Sequence, residues 1–327
     1  MDPLTHTATG LFLSRAGLNR WTPRATAILI LAANSPDCDI VSALRGSASY
    51  LTWHRHITHS LVAMPVLAVL SVVLIRALFR GAIRWKGALA AALIGVASHL
   101  LLDWTNAYGV RLLLPFSSRW FGLDISPLPD MVVWVILGLG IAGPFLSRLV
   151  GSEISSGTAR IRAYGRGGAI FALAAYAFYD GGRSLLHARA LETLQSRLYQ
   201  GVAPARVAAT PDPANPFRWG GIVDTPGFYA YVTVDLTRDF DSTRAYILEK
   251  PDMSPAMAAA ARTGAFQAFQ QWSQYPLWRV SPSERIENGT RVEAYDLRFG
   301  SPAKPAFVAR ALVDANQNVV ESSFTFR

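Results

Sequence analysis

The chain has 327 residues, 51% of them hydrophobic and only 16% charged, with a formal net charge of +9 at pH 7. Water-soluble domains carry charge nearer ~25%, so part of this chain is expected in lipid. The basic residues cluster at the ends of apolar runs, which fits control of membrane topology and argues against direct nucleic-acid binding. The single Cys38 excludes an internal disulfide framework and a cysteine-based zinc finger.

In chain order, Pro3–Leu18 reads as a short, moderately apolar helix, and no cleavable signal is expected because Asp2 and His6 stand near the start. Pro23 suits the first turn of a second short helix that stops at Asn34-Ser35-Pro36-Asp37. Four longer apolar runs follow, at Leu61–Phe79, Ala88–Leu102, Met131–Val150 and Gly167–Leu186, and each reads as a membrane helix. Asp180 and Arg183, three apart, are expected to pair, and His187 reads as structural. Ala188–Ala203 continues as an amphipathic helix, and Pro204, Pro211, Pro213 and Pro216 mark a linker. Beyond it, Tyr229–Asp235 alternates as a strand, and Glu284–Phe299 reads as a hairpin turning at Asn288-Gly289. Phe307–Val313 and Val319–Phe326 add two strands, and one helix is expected near Ser254–Trp272.

The expected architecture is therefore mainly α: a multi-pass membrane helical bundle over residues 1–187, a linker over 188–217, and a small α+β extramembrane module over 218–327. Basic loops around Arg15, Arg20 and Arg24, around Arg80, Arg84 and Lys86, and around Arg160, Arg162 and Arg166 fall on one side. The positive-inside rule makes that side cytoplasmic and puts the C-terminal module on the non-cytoplasmic side.

The polar residues inside this apolar framework are few and clustered. His54–Ser60 reads His-Arg-His-Ile-Thr-His-Ser and holds three of the six histidines. Asp37 and Asp39 close the segment before it, His99 and Asp103 close the segment after the next, and His6 stands near the start. With alternating helices, all of them fall on the non-cytoplasmic ends. Residues four apart share a helix face, so His99 and Asp103 can reach one ion. His54 and His59 are five apart and share a face only if part of their run is loop. Ionisable groups at membrane level are costly and usually functional. Thr58 and Ser60 read first as ordinary helix-capping residues and second as partners that support the histidines. Mixed imidazole and carboxylate ligands suit zinc first, with manganese or iron as alternatives, and the set is large enough for one or two ions.

These residues resemble the family of bacterial inner-membrane metal-dependent hydrolases described as LexA-regulated or LexA-binding. The matching motifs are Thr5-His6, Pro36-Asp37-Cys38-Asp39, His54-Arg55-His56-Ile57-Thr58-His59-Ser60 and Ser98-His99-Leu100-Leu101-Leu102-Asp103, followed by Gly109-Val110 and Pro115-Phe116. The resemblance covers about residues 1–130 and is distantly shared with zinc-dependent phospholipase C. It implies His6, Asp37, Asp39, His54, His59, His99 and Asp103 as metal ligands. His56 stands where the family commonly has a small residue.

The expectation is a membrane-bound metal-dependent hydrolase acting on an ester or phosphoester of a lipid-like substrate through metal-activated water. Asp37, Asp39 and His59 are its expected catalytic members, and Arg55 and Arg111 are expected to bind an anionic head group or to anchor the interface. Membrane lipids are the expected partners, and the sequence names no protein partner for the C-terminal module. The rival readings are a non-catalytic metal-binding membrane protein with a partner-binding module, and a haem protein, against which the aspartates argue.

Overall fold

A computed structural model describes residues 1–154 and 164–326. The chain divides into two compact units. The first comprises Met1–Cys38, Arg55–His187 and Pro211–Pro216, and the second Asp39–His54, Ala188–Thr210 and the chain from Phe217 onward.

The first unit is helical. Helix α1 (Pro3–Ala16) opens with Pro3 in its first turn and the Asp2 carboxylate accepting from the Thr5 amide, which satisfies one of the amides a helix start leaves free. Helix α2 (Ala25–Asn34) begins later than Pro23 suggests. Arg24, in the left-handed conformation at φ 62°, leads into it instead. Nor does the segment stop at Asn34: Pro36 has no N–H for an α ladder, and the chain tightens into a 3-10 helix over Ser35–Arg45.

Helix α3 (Ser47–Trp53), which belongs to the second unit, and a 3-10 turn at Ile57–His59 precede α4 (Ala63–Leu78). Helices α5 (Trp85–Trp104), α6 (Met131–Ile154) and α7 (Tyr164–Gln195) follow.

Two stretches, Ala25–Arg45 and Trp85–Trp104, are long and apolar enough to cross a membrane. The run expected at Leu61–Phe79 yields a 16-residue helix, short of the ~20 a span needs. It reaches that length only together with Ser47–His59, from which it is separated by a break at residues 60–62. Within α6 the apolar run among the described residues is Met131–Gly143. Helix α7 carries Arg166, Asp180, Arg183, Arg189 and Glu192 along its length and falls outside the candidate stretches. Arg160 and Arg162 lie outside the described residues.

Helix α2 is the platform on which α1, α4 and α5 pack. Ile28, Ala32, Val72, Ala92 and Val96 form one core, and Phe12, Val133, Leu137, Ala172 and Tyr176 another. Two glycines set how closely the helices approach. A Cβ at Gly10 would lie 2.9 Å from the Leu29 carbonyl oxygen, and one at Gly95 2.8 Å from Ala32 Cβ. Gly10 is four residues after His6 and Gly95 four before His99, so each glycine shares a face with a histidine. The outer face of α4 leaves Val66, Leu70, Val73 and Leu74 exposed, an arrangement that lipid tolerates and water penalises.

The second unit holds two antiparallel sheets. Strands β1 (Arg206–Pro211), β2 (Arg218–Asp224), β3 (Phe228–Asp235) and β4 (Tyr246–Glu249) pair in chain order. Strands β5 (Pro276–Pro282), β6 (Thr290–Asp296), β9 (Phe307–Val313) and β10 (Val319–Phe326) pair in the order β10-β9-β6-β5, and β7 (Gly300–Ser301) with β8 (Lys304–Pro305) forms a small ribbon. Ile222, Tyr229 and Leu248 of the first sheet share a core with Leu277, Tyr295 and Val308 of the second. Helix α3 packs on α9 (Gly264–Trp272) and β10 within the same unit, where Tyr50 meets Phe326 edge-on at 5.4 Å.

Three details differ from the sequence reading. The Pro-rich stretch after Pro204 contains β1, an edge strand in which Pro211 stands at the end, where a missing N–H is tolerated. The helix expected at Ser254–Trp272 is two, α8 (Pro255–Ala261) and α9, because Thr263 is extended at ψ 152°. The hairpin arms lie at β5 and β6, with Pro282 opposite Thr290. Asn288-Gly289 closes a longer loop in which the Ser283 hydroxyl accepts from the amides of Arg285 and Ile286.

Asp296 anchors this module. Its carboxylate accepts from the Ser273 hydroxyl (2.8 Å), the Gln274 amide (2.7 Å) and Arg298 Nε (2.9 Å). Burial pushes the carboxyl up, but the Arg298 charge and these hydrogen bonds outweigh it and hold Asp296 below the usual carboxylate range. A depressed folded value gives stability above the unfolded value of ~3.9, lost as pH falls through the folded one. Asp296→Ala should cost about 3–5 kcal/mol, because it strands a buried guanidinium. Amide exchange in β6 and β9 should show that loss at neutral pH, and a smaller difference from wild type as pH drops below about 4.

Candidate metal centre

Helix α5 brings His99 and Asp103 to one face, both fully buried, as their four-residue spacing requires. His99 Nδ1 lies 2.7 Å from the Ala33 carbonyl oxygen. A carbonyl can only accept, so Nδ1 carries a proton, and a ring with that one proton has its lone pair on Nε2. That lone pair faces His59 Nε2 at 3.1 Å. His59 is buried before α4, with Thr58 Oγ1 3.1 Å from its Nδ1, a hydroxyl that can accept from that nitrogen or donate to it. Asp37, in the 3-10 continuation of α2, completes the group. Its Oδ1 lies 3.5 Å from His59 Nε2 and 3.6 Å from His99 Nε2. Asp103 Oδ2 lies 3.3 Å and 3.5 Å from the same two nitrogens.

Four donor atoms of Asp37, His59, His99 and Asp103 thus lie within 4.8 Å of one another. Lone pairs and carboxylates turned toward one point repel unless a cation sits among them. Tetrahedral zinc with bonds of ~2.0–2.1 Å separates its ligands by about 3.4 Å, and the five contacts above run from 3.1 to 3.6 Å. The cluster can therefore hold a metal ion, and the hydrogen bond from His99 to Ala33 is the kind that orients metal-bound histidines. The Met1 α-amino group also contacts Asp103 Oδ1.

The remaining candidates are placed differently. His6 is buried and stacks on His99 with ring centroids 3.8 Å apart. Its Nε2 lies 3.5 Å from Asp103 Oδ1, and neither ring nitrogen has a hydrogen-bond partner among the described residues. Asp39 and His54 belong to the second unit, where Asp39 Oδ1 meets His54 Nδ1 at 2.9 Å and Tyr50 stacks on the His54 ring at 4.5 Å. His56 precedes the 3-10 turn, and neither it nor His187 belongs to a donor group among the described residues.

Arg55, expected with Arg111 to bind an anionic head group or to anchor the interface, faces inward instead. It is buried, in the left-handed conformation at φ 55°. Its guanidinium grips both oxygens of Asp103 at 3.0 Å and donates to Asn106 Oδ1 and the Gly109 carbonyl at 2.9 Å. A side chain committed in this way orients a carboxylate inside the unit. Arg111 lies over the Trp120 ring at 4.7 Å and is likewise buried. Asn106 was missed altogether, although its spacing of three from Asp103 was a usable signal.

A family model described as YdjM inner membrane protein matches residues 1–188, a stretch that contains every one of these donors. The chain belongs to the YdjM inner membrane protein family. This is the LexA-regulated inner-membrane family that the spaced motifs resemble. A second model, described as YfhP C-terminal alpha/beta plait domain, matches residues 255–326. A protein of Bacillus subtilis (strain 168) described as "Uncharacterized protein YfhP" is 29% identical over 143 residues, 41% of this chain and 43% of that protein. The match thus spans less than half of that relative's length. No solved structure matches the chain.

In this YdjM-family chain, His99→Ala and Asp103→Ala should each weaken metal binding at least tenfold, whereas His187→Ala should leave it unchanged. Metal quantification on the purified variants checks this. Full metal content in His99→Ala would show that the convergence on Ala33 serves packing alone.

Proposed function

We propose that the chain is a multi-pass inner-membrane hydrolase that uses a divalent ion, zinc first, to cleave an ester or phosphoester of a lipid-like substrate. The observation that carries this reading is the donor cluster: two carboxylates and two imidazoles converge, and the Asp37 side chain remains 25% exposed at its edge. Asp37, His59, His99 and Asp103 would hold the ion, with His6 stacked behind His99. A bound divalent ion would supply Lewis acidity and lower the pKa of water.

The chain's own residues do the rest. Arg55 fixes the Asp103 carboxylate and offsets its charge, so the cluster contributes a net of about one negative charge to a divalent ion. The remaining positive balance favours an anionic substrate such as a phosphoester. Asp37, nearest to solvent, is placed to accept a proton from an attacking water. The Asp39–His54 contact orients that imidazole in the manner of a metal-ligating histidine, and we include the pair as donors for a second ion. The donor ends and the C-terminal module are assigned to the periplasmic side on the distribution of basic residues.

A second reading rests on burial. Four protein donors make a closed set, which is the habit of structural zinc sites rather than catalytic ones. In that case the chain binds metal without turnover, and the C-terminal module binds a partner.

Asp37→Asn separates the two readings. As the proton-accepting residue of a hydrolase, Asp37 should be needed for turnover, and its amide should lower phosphoester hydrolysis at least a hundredfold. A structural site would lose metal in the variant, but no hydrolysis would be seen in the wild type. Parallel activity and metal assays in nanodiscs decide between them. For topology, an alkaline phosphatase fused after the C-terminus should be active and a fluorescent protein dark; the reverse would put the module in the cytoplasm.

A further inference from the structure

The helices of the first unit are polarised in charge. Helix α1 begins near His6 and ends at Arg15, and α2 is entered from Arg24 and runs toward Asp37. Helix α4 follows His59 and ends before Arg80, and α5 starts beside Arg84 and ends with His99 and Asp103. The cationic ends meet. The Arg24 guanidinium donates to the Arg80 carbonyl (2.8 Å), Arg84 donates to the Arg20 carbonyl, and Arg166 Nε donates to the Ala16 carbonyl (2.9 Å). These contacts join the starts of α2, α5 and α7 to the ends of α1 and α4.

No carboxylate occurs in residues 3–36 or 40–102. Among the described residues, Arg20, Arg24, Arg80, Arg84, Lys86 and Arg166 form no ion pair. The guanidinium hydrogen bonds named above all go to backbone carbonyls, which supply no neutralising charge. Cations gathered without counter-charge repel one another and attract an anion, and a guanidinium with free donors suits phosphate oxygens.

Exposed aromatics mark the level at which this end lies. Trp21, Phe79 and Trp85 are exposed there, and the Arg24 guanidinium sits 5.6 Å over the Phe79 ring. Aromatic residues beside basic ones are the signature of a head-group layer. The exposed face of α4 continues to this end through Leu74 and Leu78, so acyl chains have an apolar surface beside the cations.

We propose that this cationic end of the first unit, built around Arg24 and Arg84, binds the phosphate head group of an anionic phospholipid. Head-group phosphate supplies the missing charge, and the acyl chains cover the face of α4. A nucleic acid would match the charge but leave the aromatics and leucines uncovered. The proposal does not involve the donor cluster at the other helix ends.

The test uses the full chain in detergent, with native mass spectrometry of bound lipid and thermal unfolding as readouts. Phosphatidylglycerol should stay bound and raise the unfolding midpoint, and phosphatidylcholine should do neither. Arg24→Gln combined with Arg84→Gln should weaken phosphatidylglycerol binding roughly tenfold or more, and Arg24→Lys combined with Arg84→Lys should retain most of it. If the glutamine variant fails to fold, the comparison of the two lipids on the wild type still decides. Equal retention of both lipids would overturn the proposal. So would displacement of phosphatidylglycerol by inorganic phosphate, or tighter binding of a short DNA duplex.

Discussion

A neutral imidazole has one proton to give, and His99 gives it to the Ala33 carbonyl. Ala33 lies in the last turn of α2, where backbone carbonyls lack partners in an ideal helix. One hydrogen bond thus answers two needs: it satisfies a helix end and fixes which nitrogen of His99 bears the lone pair. The rest of the cluster follows from that choice. His59 Nε2, Asp37 and Asp103 are arranged around a nitrogen whose orientation is set by α2. A reversed tautomer would leave Ala33 facing a lone pair and turn an N–H into the donor group.

The second constraint is electrostatic. Asp103 is fully buried among apolar helices, a placement that costs several kcal/mol per ion without compensation. Arg55 supplies it from a backbone conformation that few residues other than glycine adopt. The guanidinium also reaches Asn106 and Gly109, so the loop after α5 closes over the carboxylate. Here the strained backbone and the buried charge belong to one arrangement.

Much of this was legible in the sequence, and the reasons differ by residue. The pairing of His99 with Asp103 followed from helical periodicity, and β9 and β10 followed from alternation, because both patterns repeat over neighbours. The YdjM motifs named the donors by type but not by neighbourhood. That Asp37 joins His59 and His99 while Asp39 pairs with His54 depends on how the chain turns at Cys38, which no periodicity encodes. Arg55 was misread because its partner lies 48 residues away. An arginine beside histidines in a membrane protein looks the same in sequence whether it faces a lipid or a carboxylate. Helix α4 was drawn too long because hydropathy does not register where a helix starts, and Leu61 and Val62 are apolar but precede it. Strand β1 was hidden by prolines that an edge strand accepts.

The two close-approach glycines carry a consequence for how the centre tolerates change. A methyl at position 95 would meet Ala32 Cβ at 2.8 Å, where carbon atoms rest at about 3.5–4.0 Å. Relief would push α5 outward by roughly an ångström, and a 2.7 Å contact lengthened that far is no longer a hydrogen bond. Gly10 holds α1 and His6 to α2 by the same means. The precision of the cluster is therefore stored partly in atoms the chain lacks. Among its most demanding positions are two that bring no chemistry of their own, only room.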